Sequence, residues 1–173
     1  MDIYLMGYMG SGKTTIGQLL AKRIGYDFVD YDQFIIKKEN KSISDIFESK
    51  GEIYFRKKEA FYLKELLEKT ATKKIVALGG GTPCYGNNMQ DIKDSGVTSI
   101  YLNVPVGQLT DRLWNAKAER PVIASQQSKE ALEDFLRKHL FERSFYYNQA
   151  SKVIKVQDQS ETEIVEEIIA TLF

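Results

Sequence analysis

The sequence predicts an α/β fold in which helices cover both faces of a parallel β-sheet. Five short apolar segments have the character of strands, and helical patterns separate them along the chain. These candidate strands are residues 2–6, 27–30, 74–78, 98–102 and 152–156. A glycine-rich stretch at residues 7–14 follows the first candidate strand directly and precedes a helical pattern, which supports the same prediction. We therefore expect three layers, with the sheet in the middle.

Composition and length indicate a single globular domain, residues 1–173. Hydrophobic residues make up 43% of the chain and charged residues 28%, which is ordinary for a globular protein with a proper core. Lysine plus arginine and aspartate plus glutamate both total 24. The net charge is therefore zero, which argues against a nucleic-acid partner held by phosphate attraction.

Cysteine usage and hydropathy indicate a soluble, cytoplasmic protein. Cys84 is the only cysteine of the sequence, so it cannot form an internal disulfide, as suits a reducing compartment. No apolar run approaches the roughly 20 residues of a membrane span, and no signal peptide is visible. We expect a monomer without a membrane partner.

The glycine-rich stretch fits the pattern G-x-x-x-x-G-K-T of a phosphate-binding loop, or P-loop. The alternative is an ordinary glycine turn before a helix, but the strand before it and the helix ending at Gly25 disfavour that interpretation. In a P-loop the backbone N–H groups and the helix N-terminus surround phosphates. Lys13 would then reach the β- and γ-phosphates, and the Thr14 hydroxyl would bind Mg²⁺.

Two acidic residues, Asp30 and Asp32, close the second candidate strand. On an extended chain a spacing of two puts both carboxylates on the same side, at the sheet edge where ligands of open α/β sheets bind. One acid could hold Mg²⁺ and the other could orient and deprotonate an attacking hydroxyl. The alternatives are surface acids that close a strand, or an N-cap for the next helix.

Three successive glycines, Gly79, Gly80 and Gly81, follow the third candidate strand. They would let a ligand lie against the main chain and contact its N–H groups. A flexible loop explains one or two of them, but the position at the sheet edge favours substrate contact.

Two arginines fall on helical stripes of apolar residues. Arg56 shares a stripe with Ile53, and Arg143 shares one with Leu136. An inward arginine needs an anion, because an unpaired buried charge is costly. That anion could be an internal carboxylate, such as Glu52 beside Arg56, or a substrate carboxylate held by two hydrogen bonds.

Residues 115–128 form a polar stretch without helical or strand pattern, which is typical of a mobile lid or of a disordered loop. Arg112 and Arg120 flank or lie in this stretch, and either could fold over phosphates when a lid closes. The alternative is a pair of exposed loop arginines. His139, the only histidine, has no partners at metal-site spacing and is interpreted as a packing or surface residue.

Helices fill the long connection between the second and third candidate strands. Residues 32–71 hold two or three helical segments, one of which opens with a capping box at Ser42. The last helix of the chain begins near Glu161 and has a regular apolar face.

Taken together, these stretches resemble the shikimate kinase family. The matching stretches, in the family's order and with similar gaps, are residues 7–15, 28–32, 51–59 and 79–81, then Arg120–Pro121, and Arg143 with Tyr147. The resemblance implies a P-loop fold like that of nucleoside monophosphate kinases. It has a five-stranded parallel sheet, a helical substrate-binding region at about 32–62 and a mobile lid at about 115–128.

The resemblance also implies ATP-dependent phosphorylation of the 3-hydroxyl of shikimate, which gives shikimate 3-phosphate and ADP in aromatic amino-acid (chorismate) biosynthesis. By position, it assigns nucleotide binding to Gly10, Ser11, Gly12, Lys13, Thr14, Thr15, Arg112 and Arg120. It assigns shikimate binding to Asp32, Arg56, Gly79, Gly80, Gly81 and Arg143, with Phe47 and Phe55 as pocket aromatics. It places Mg²⁺ at Thr14 and Asp30, and makes Lys13, Asp32 and Arg120 the catalytic residues.

Three other functions were weighed against this one. A kinase of the same fold could act on another polyol acid such as gluconate, or on a nucleotide. A regulatory GTPase is disfavoured, because D-x-x-G is missing and residues 40–43 lack the aspartate of N-K-x-D. A non-catalytic nucleotide-binding module is disfavoured by the intact lysine, threonine and paired aspartates.

Overall fold

The computed structural model describes residues 1–69, 71–116 and 120–173, and these contain one five-stranded sheet. All strand pairs are parallel and the order is β2-β3-β1-β4-β5. The strands are β1 (Ile3–Met6), β2 (Asp27–Asp30), β3 (Lys74–Ala77), β4 (Thr98–Asn103) and β5 (Lys152–Lys155). The predicted α/β fold is confirmed, and each predicted strand agrees with the structure to within one residue at either end.

Helices connect the strands and cover both faces of the sheet. The helices of the described ranges are α1 (Lys13–Ile24), α2 (Tyr31–Glu39), α3 (Ile43–Glu68), α4 (Asn88–Asp94), α5 (Val106–Asn115), α6 (Pro121–Ala124), α7 (Lys129–Tyr147) and α8 (Glu161–Leu172), with a 3₁₀ turn at Thr82–Cys84. Local signals set several of the ends: Gly25 closes α1 in the left-handed conformation, and Ser42 Oγ accepts the Asp45 N–H at the start of α3. Both ends were predicted.

The central strands form the core of the molecule. Every residue of β1 and β3 is buried, whereas the edge strands β2 and β5 have mostly half-buried or exposed residues. Central parallel strands are covered on both faces, which explains their continuous apolar runs. The carboxyl ends of β1, β2 and β3 meet at one edge, so the segments that follow them lie close together. In the described ranges, no helix is long and apolar enough to cross a membrane.

A kink at Gly51 divides α3 into two helical segments. Gly51 has φ 85° and ψ 170°, a conformation that a residue with a side chain rarely adopts. Beyond the kink the buried face passes through Phe55, Glu59 and Leu66. Ile53 is 76% exposed, so the predicted stripe of Ile53 and Arg56 is wrong: the buried face lies about one residue away, and Arg56 borders it.

The predicted loop at residues 115–128 is more ordered than its sequence suggests. Asn115 ends α5, the short helix α6 occupies Pro121–Ala124, and Ser128 caps α7. The loop prediction is therefore wrong over α6, where the fully buried Ile123 packs into the core. Residues 117–119 of the proposed lid lie outside the described residues, and its mobility stays a prediction.

Candidate active site

The P-loop connects β1 to α1 at the centre of the sheet edge. Gly10 and Gly12 have φ values of 78° and 92°, so residues with side chains would be strained at both positions. Lys13 folds back across the loop, where its Nζ donates to Gly7 O at 2.8 Å and to Tyr8 O at 3.0 Å. Its ammonium group also lies 3.5 Å from Ser11 Oγ. The loop thus holds a cation at its centre.

The environment of Lys13 disfavours its charged form. Burial lowers the pKa of Lys13 to about 8, and the positive charges of Arg120 and Arg143 act in the same direction, although Asp32 opposes them. An anion bound at the P-loop would stabilise these neighbouring positive charges. A phosphate group bound here would therefore raise the pKa of Lys13 again.

Thr14 and Asp30 bring two oxygen atoms together beside the P-loop. Thr14 Oγ1 donates to Asp30 Oδ2 at 3.2 Å, while Asp30 Oδ1 accepts the Gln33 N–H at 3.1 Å. Asp30 is therefore an N-cap of α2, as the alternative interpretation held, and at the same time it faces Thr14. Hydroxyl and carboxylate oxygens are the ligands that Mg²⁺ prefers, and Mg²⁺ commonly takes only one or two of them from the protein.

Asp32 lies in the first turn of α2 rather than on an extended chain. The reason we gave for its orientation is therefore wrong, because β2 ends at Asp30 and α2 begins at Tyr31. The carboxylate nevertheless faces the same cavity as Asp30. Burial raises the pKa of Asp32 to about 6, with further contributions from the negative charges of Asp30 and Glu59. A carboxylate of this kind can accept a proton near neutral pH.

One cavity of about 350 Å³ joins these groups. Of the residues predicted for the site, those that line it are Gly10, Gly12, Lys13, Thr14, Thr15, Asp30, Asp32, Gly79, Gly80 and Arg120. The P-loop and the loop after β3 are neighbours in the lining, since a Cβ atom on Gly80 would lie 3.4 Å from Met9 N.

The three glycines after β3 each face a different charged side chain. A Cβ atom would lie 2.7 Å from Asp32 Oδ1 at Gly79, 3.5 Å from Arg143 Nη1 at Gly80 and 3.1 Å from Arg56 Nη1 at Gly81. A side chain at the first position would collide with the aspartate, and one at the third would crowd the arginine. This loop therefore brings together one carboxylate and two guanidinium groups that are far apart in the sequence.

Arg56 is paired with an internal carboxylate that the sequence analysis did not single out. Its Nη1 lies 2.9 Å from Glu59 Oε1, whereas Glu52, the partner we named, is 3.7 Å from Arg56 Nε. Glu59 is 1% exposed and also accepts a hydrogen bond from Thr82 Oγ1 at 2.9 Å. Burial raises the pKa of Glu59 although the positive charge of Arg56 opposes this. The spacing of three residues on a helix was the signal that could have identified Glu59.

Helix α7 contacts both glycine loops. Tyr147 donates from its hydroxyl to Gly80 O at 2.5 Å, and His139 Nδ1 lies 2.8 Å from the Tyr8 hydroxyl. Arg143 lies one turn from each of these residues, with its guanidinium 5.9 Å from the centroid of the Tyr8 ring. His139 was predicted to be a packing or surface residue, and it is half-buried. These contacts hold Arg143 above the loop at residues 79–81.

Of the residues predicted to bind the acceptor, Arg56, Gly81 and Arg143 do not line this cavity, although the two arginines reach the loop that borders it. Arg112 Nη1 donates to Gly10 O of the P-loop at 2.9 Å, and Arg120 lines the cavity just before α6. Phe47 and Phe55 pack on each other with ring centroids 4.8 Å apart. Phe55 is buried and Phe47 is half-buried.

Comparisons with known proteins agree with this geometry. A family model described as shikimate kinase matches residues 9–173. The shikimate kinase of Flavobacterium johnsoniae is 44% identical over 170 residues, covering 98% of both chains. A crystal structure of shikimate kinase from Bacteroides thetaiotaomicron superposes with a TM-score of 0.89 at 31% identity, covering 99% of this chain and 98% of the other. The structure of a shikimate kinase from Acinetobacter baumannii in complex with shikimate superposes with a TM-score of 0.85 at 32% identity. The match covers 99% of this chain and 92% of the other.

Proposed function

The chain belongs to the shikimate kinase family, and from that premise we propose how its residues transfer the γ-phosphoryl group of ATP to the 3-hydroxyl of shikimate. The products are shikimate 3-phosphate and ADP, in the biosynthesis of chorismate and the aromatic amino acids. The observation that carries the mechanism is the convergence of Asp32, Arg56 and Arg143 on residues 79–81, beside the P-loop.

The P-loop binds the phosphates of ATP through its N–H groups and through Lys13. On binding, the Lys13 ammonium exchanges its carbonyl partners in Gly7 and Tyr8 for β- and γ-phosphate oxygens. Thr14 would hold Mg²⁺ directly and Asp30 would hold it through water; the chemistry that the ion would supply there is positive charge against the phosphates. Arg120 lines the same cavity and adds positive charge where the γ-phosphoryl group would lie. Arg112 contacts Gly10 of the P-loop and is assigned to nucleotide binding.

The acceptor binds across the loop at residues 79–81. Arg56 and Arg143 both face this loop, so together they can hold the carboxylate of shikimate. The ring hydroxyls then lie towards Asp32. Asp32 accepts the proton of the 3-hydroxyl while that oxygen bonds to the γ-phosphorus, and the bond from phosphorus to the bridging oxygen of ADP breaks.

The domain organisation and cellular setting stay predictions. We propose one kinase domain over residues 1–173, with a substrate-binding region at about 32–62 and a lid at about 115–128. A monomer in the cytoplasm is the form expected from the sequence.

A coupled assay of ADP release tests the proposed function. Mg-ATP is supplied alone and then with shikimate, quinate, gluconate or a nucleoside monophosphate. We expect ADP release that depends on shikimate. Turnover with another acceptor but not with shikimate would overturn the substrate assignment while keeping the kinase chemistry. No turnover with any acceptor would favour a nucleotide-binding module instead.

A further inference from the structure

Tyr85 stacks on the guanidinium group of Arg56. The Arg56 Cζ atom lies 3.6 Å from the centroid of the Tyr85 ring, whereas the ring of Phe55 is 5.1 Å away. A guanidinium group prefers to lie flat on an aromatic face, where the ring quadrupole attracts its charge. No sequence pattern singled out Tyr85, because the contact depends on the turn that precedes it.

The segment around Tyr85 is held by a defined set of hydrogen bonds. The 3₁₀ turn at Thr82–Cys84 follows Gly81 directly, and Cys84 N donates to Gly81 O at 2.9 Å. The side chain of Asn88, only 1% exposed, donates from Nδ2 to Thr82 O at 2.8 Å. Asn88 N also donates to Tyr85 O at 3.2 Å. The ring therefore projects from a fixed turn.

The stack turns the Nη1–Nη2 edge of Arg56 towards the loop at residues 79–81. Tyr85 covers a face of the guanidinium group, and Glu59 accepts from Nη1 at 2.9 Å. Nη1 and Nη2 lie 3.1 and 3.2 Å from the position of a Cβ atom on Gly81. The edge formed by these two nitrogens therefore faces the loop where the acceptor carboxylate is proposed to bind. An arginine already held in its binding orientation loses less side-chain entropy when the ligand arrives.

We propose that Tyr85 is a positioning residue for the acceptor: its ring holds the Arg56 guanidinium in the orientation that receives the substrate carboxylate. This inference rests on the proposed role of Arg56 in binding that carboxylate. Tyr85 is not assigned any contact with the reacting atoms. It therefore affects acceptor affinity and leaves the phosphoryl-transfer step unchanged.

Steady-state kinetics of Tyr85→Leu and Tyr85→Phe test the proposal. Leucine removes the ring, and phenylalanine keeps the ring without the hydroxyl. For Tyr85→Leu we expect the KM for shikimate to rise about 3- to 30-fold, with kcat and the KM for ATP within about two-fold of wild type. Tyr85→Phe should keep the wild-type KM for shikimate. The matched control is Tyr26→Leu, because Tyr26 is also half-buried and has a cation over its ring, Lys73 Nζ at 5.8 Å, but precedes β2 at the opposite edge of the sheet.

Further variants separate this inference from the function on which it rests. If Arg56→Ala raises the KM for shikimate and Tyr85→Leu does not, the stacking role is overturned and the role of Arg56 stands. If neither variant changes that KM, the assignment of Arg56 is itself wrong. The proposal would also be overturned if the KM for shikimate rose equally in Tyr85→Leu and Tyr85→Phe. It would likewise be overturned if Tyr85→Leu raised the KM for ATP as much as the KM for shikimate. With the methyl ester of shikimate, which lacks the carboxylate charge, wild type and Tyr85→Leu should differ by less than about two-fold.

Discussion

The candidate site has two sides that are built in different ways. The phosphate side is the P-loop with Thr15, nine successive residues at 7–15 that mostly offer backbone groups and a helix N-terminus. The acceptor side consists of Asp32, Arg56, residues 79–81 and Arg143, which come from α2, α3, the loop after β3 and α7. The first side is therefore a property of local sequence, whereas the second exists only when the sheet is assembled.

The two sides also differ in how their charges are balanced. Among the described residues, the hydrogen-bond acceptors of Lys13 are neutral oxygen atoms of Gly7, Tyr8 and Ser11. The anion that would contact its ammonium group therefore comes from the nucleotide. The acceptor side already holds an ion pair between Arg56 and the buried Glu59. Variants should therefore separate the two sides kinetically: changes on the phosphate side should affect turnover with every acceptor, and changes on the acceptor side should depend on the acceptor.

The largest effect is expected for Lys13→Ala. Removal of the ammonium group takes away the charge that stabilises the transferring phosphoryl group, so turnover should fall by about 10³-fold or more. ADP release in the coupled assay measures it. The control is Lys22→Ala, an exposed lysine in the last turn of the same helix. Turnover within ten-fold of wild type would remove Lys13 from the reaction.

Asp32→Asn should reduce turnover by about 10²-fold or more, because an amide cannot accept the hydroxyl proton. ATP binding, measured by calorimetry without acceptor, should stay nearly unchanged. Asp27→Asn, at the exposed start of β2, is the matched control. A variant with wild-type turnover would show that Asp32 is not the proton acceptor.

Arg143→Ala should raise the KM for shikimate by about 10- to 100-fold, since it removes one of the two guanidinium groups proposed for the carboxylate. The KM for ATP should change far less. Arg137→Ala on the same helix removes an exposed arginine paired with Glu133 and should change neither constant. Equal increases in both KM values would contradict the assignment of Arg143 to the acceptor side.

The pH profile of kcat/KM should have an acidic limb from the acceptor side and an alkaline limb from the phosphate side. Because Asp32 has a pKa raised to about 6, kcat/KM should fall about ten-fold per pH unit below that value, as the carboxylate becomes protonated. Because Lys13 has a pKa lowered to about 8, kcat/KM for ATP should also fall above pH 8 as the ammonium group is lost. Bound phosphates favour the ammonium form, so the alkaline limb should move to higher pH in kcat. An alkaline limb at the same pH in both profiles would exclude Lys13 as its origin.

The smallest effect is on stability. The folded-state pKa of Asp32 lies above the ordinary value of 3.8, so its ionised form destabilises the fold above pH 6, and this cost disappears as pH falls towards 4. Asp32→Asn should therefore raise the free energy of unfolding by about 1–2 kcal/mol at pH 8 and by much less at pH 4. Urea denaturation at the two pH values measures the difference. If the free energy of unfolding increased equally at pH 8 and at pH 4, the ionisation of Asp32 would not be the cause of the increase.

The parts of the protein that depend on interactions between neighbouring residues could be predicted from the sequence. A P-loop needs a strand, glycines that accept positive φ and a helix N-terminus, and all of these are successive residues. The central strands β1 and β3 were likewise predictable, because buried parallel strands are continuous apolar runs. The caps at Gly25 and Ser42 depend on hydrogen bonds within a few residues, which explains why they were predicted correctly.

The arrangement of the acceptor side could not be predicted from the sequence, because it depends on how separate elements pack together. The face of α3 that packing buries passes through Phe55, Glu59 and Leu66. The apolar stripe read from the sequence lies about one residue away from that face, so it misplaced Ile53 and drew attention to Glu52 instead of Glu59. Asp32 faces the cavity from a helix, although its spacing from Asp30 had suggested a strand. Tyr85 reaches Arg56 only because a 3₁₀ turn follows the glycines. Each of these contacts joins residues whose distance depends on packing between elements, and periodicity within one element carries no information about that packing.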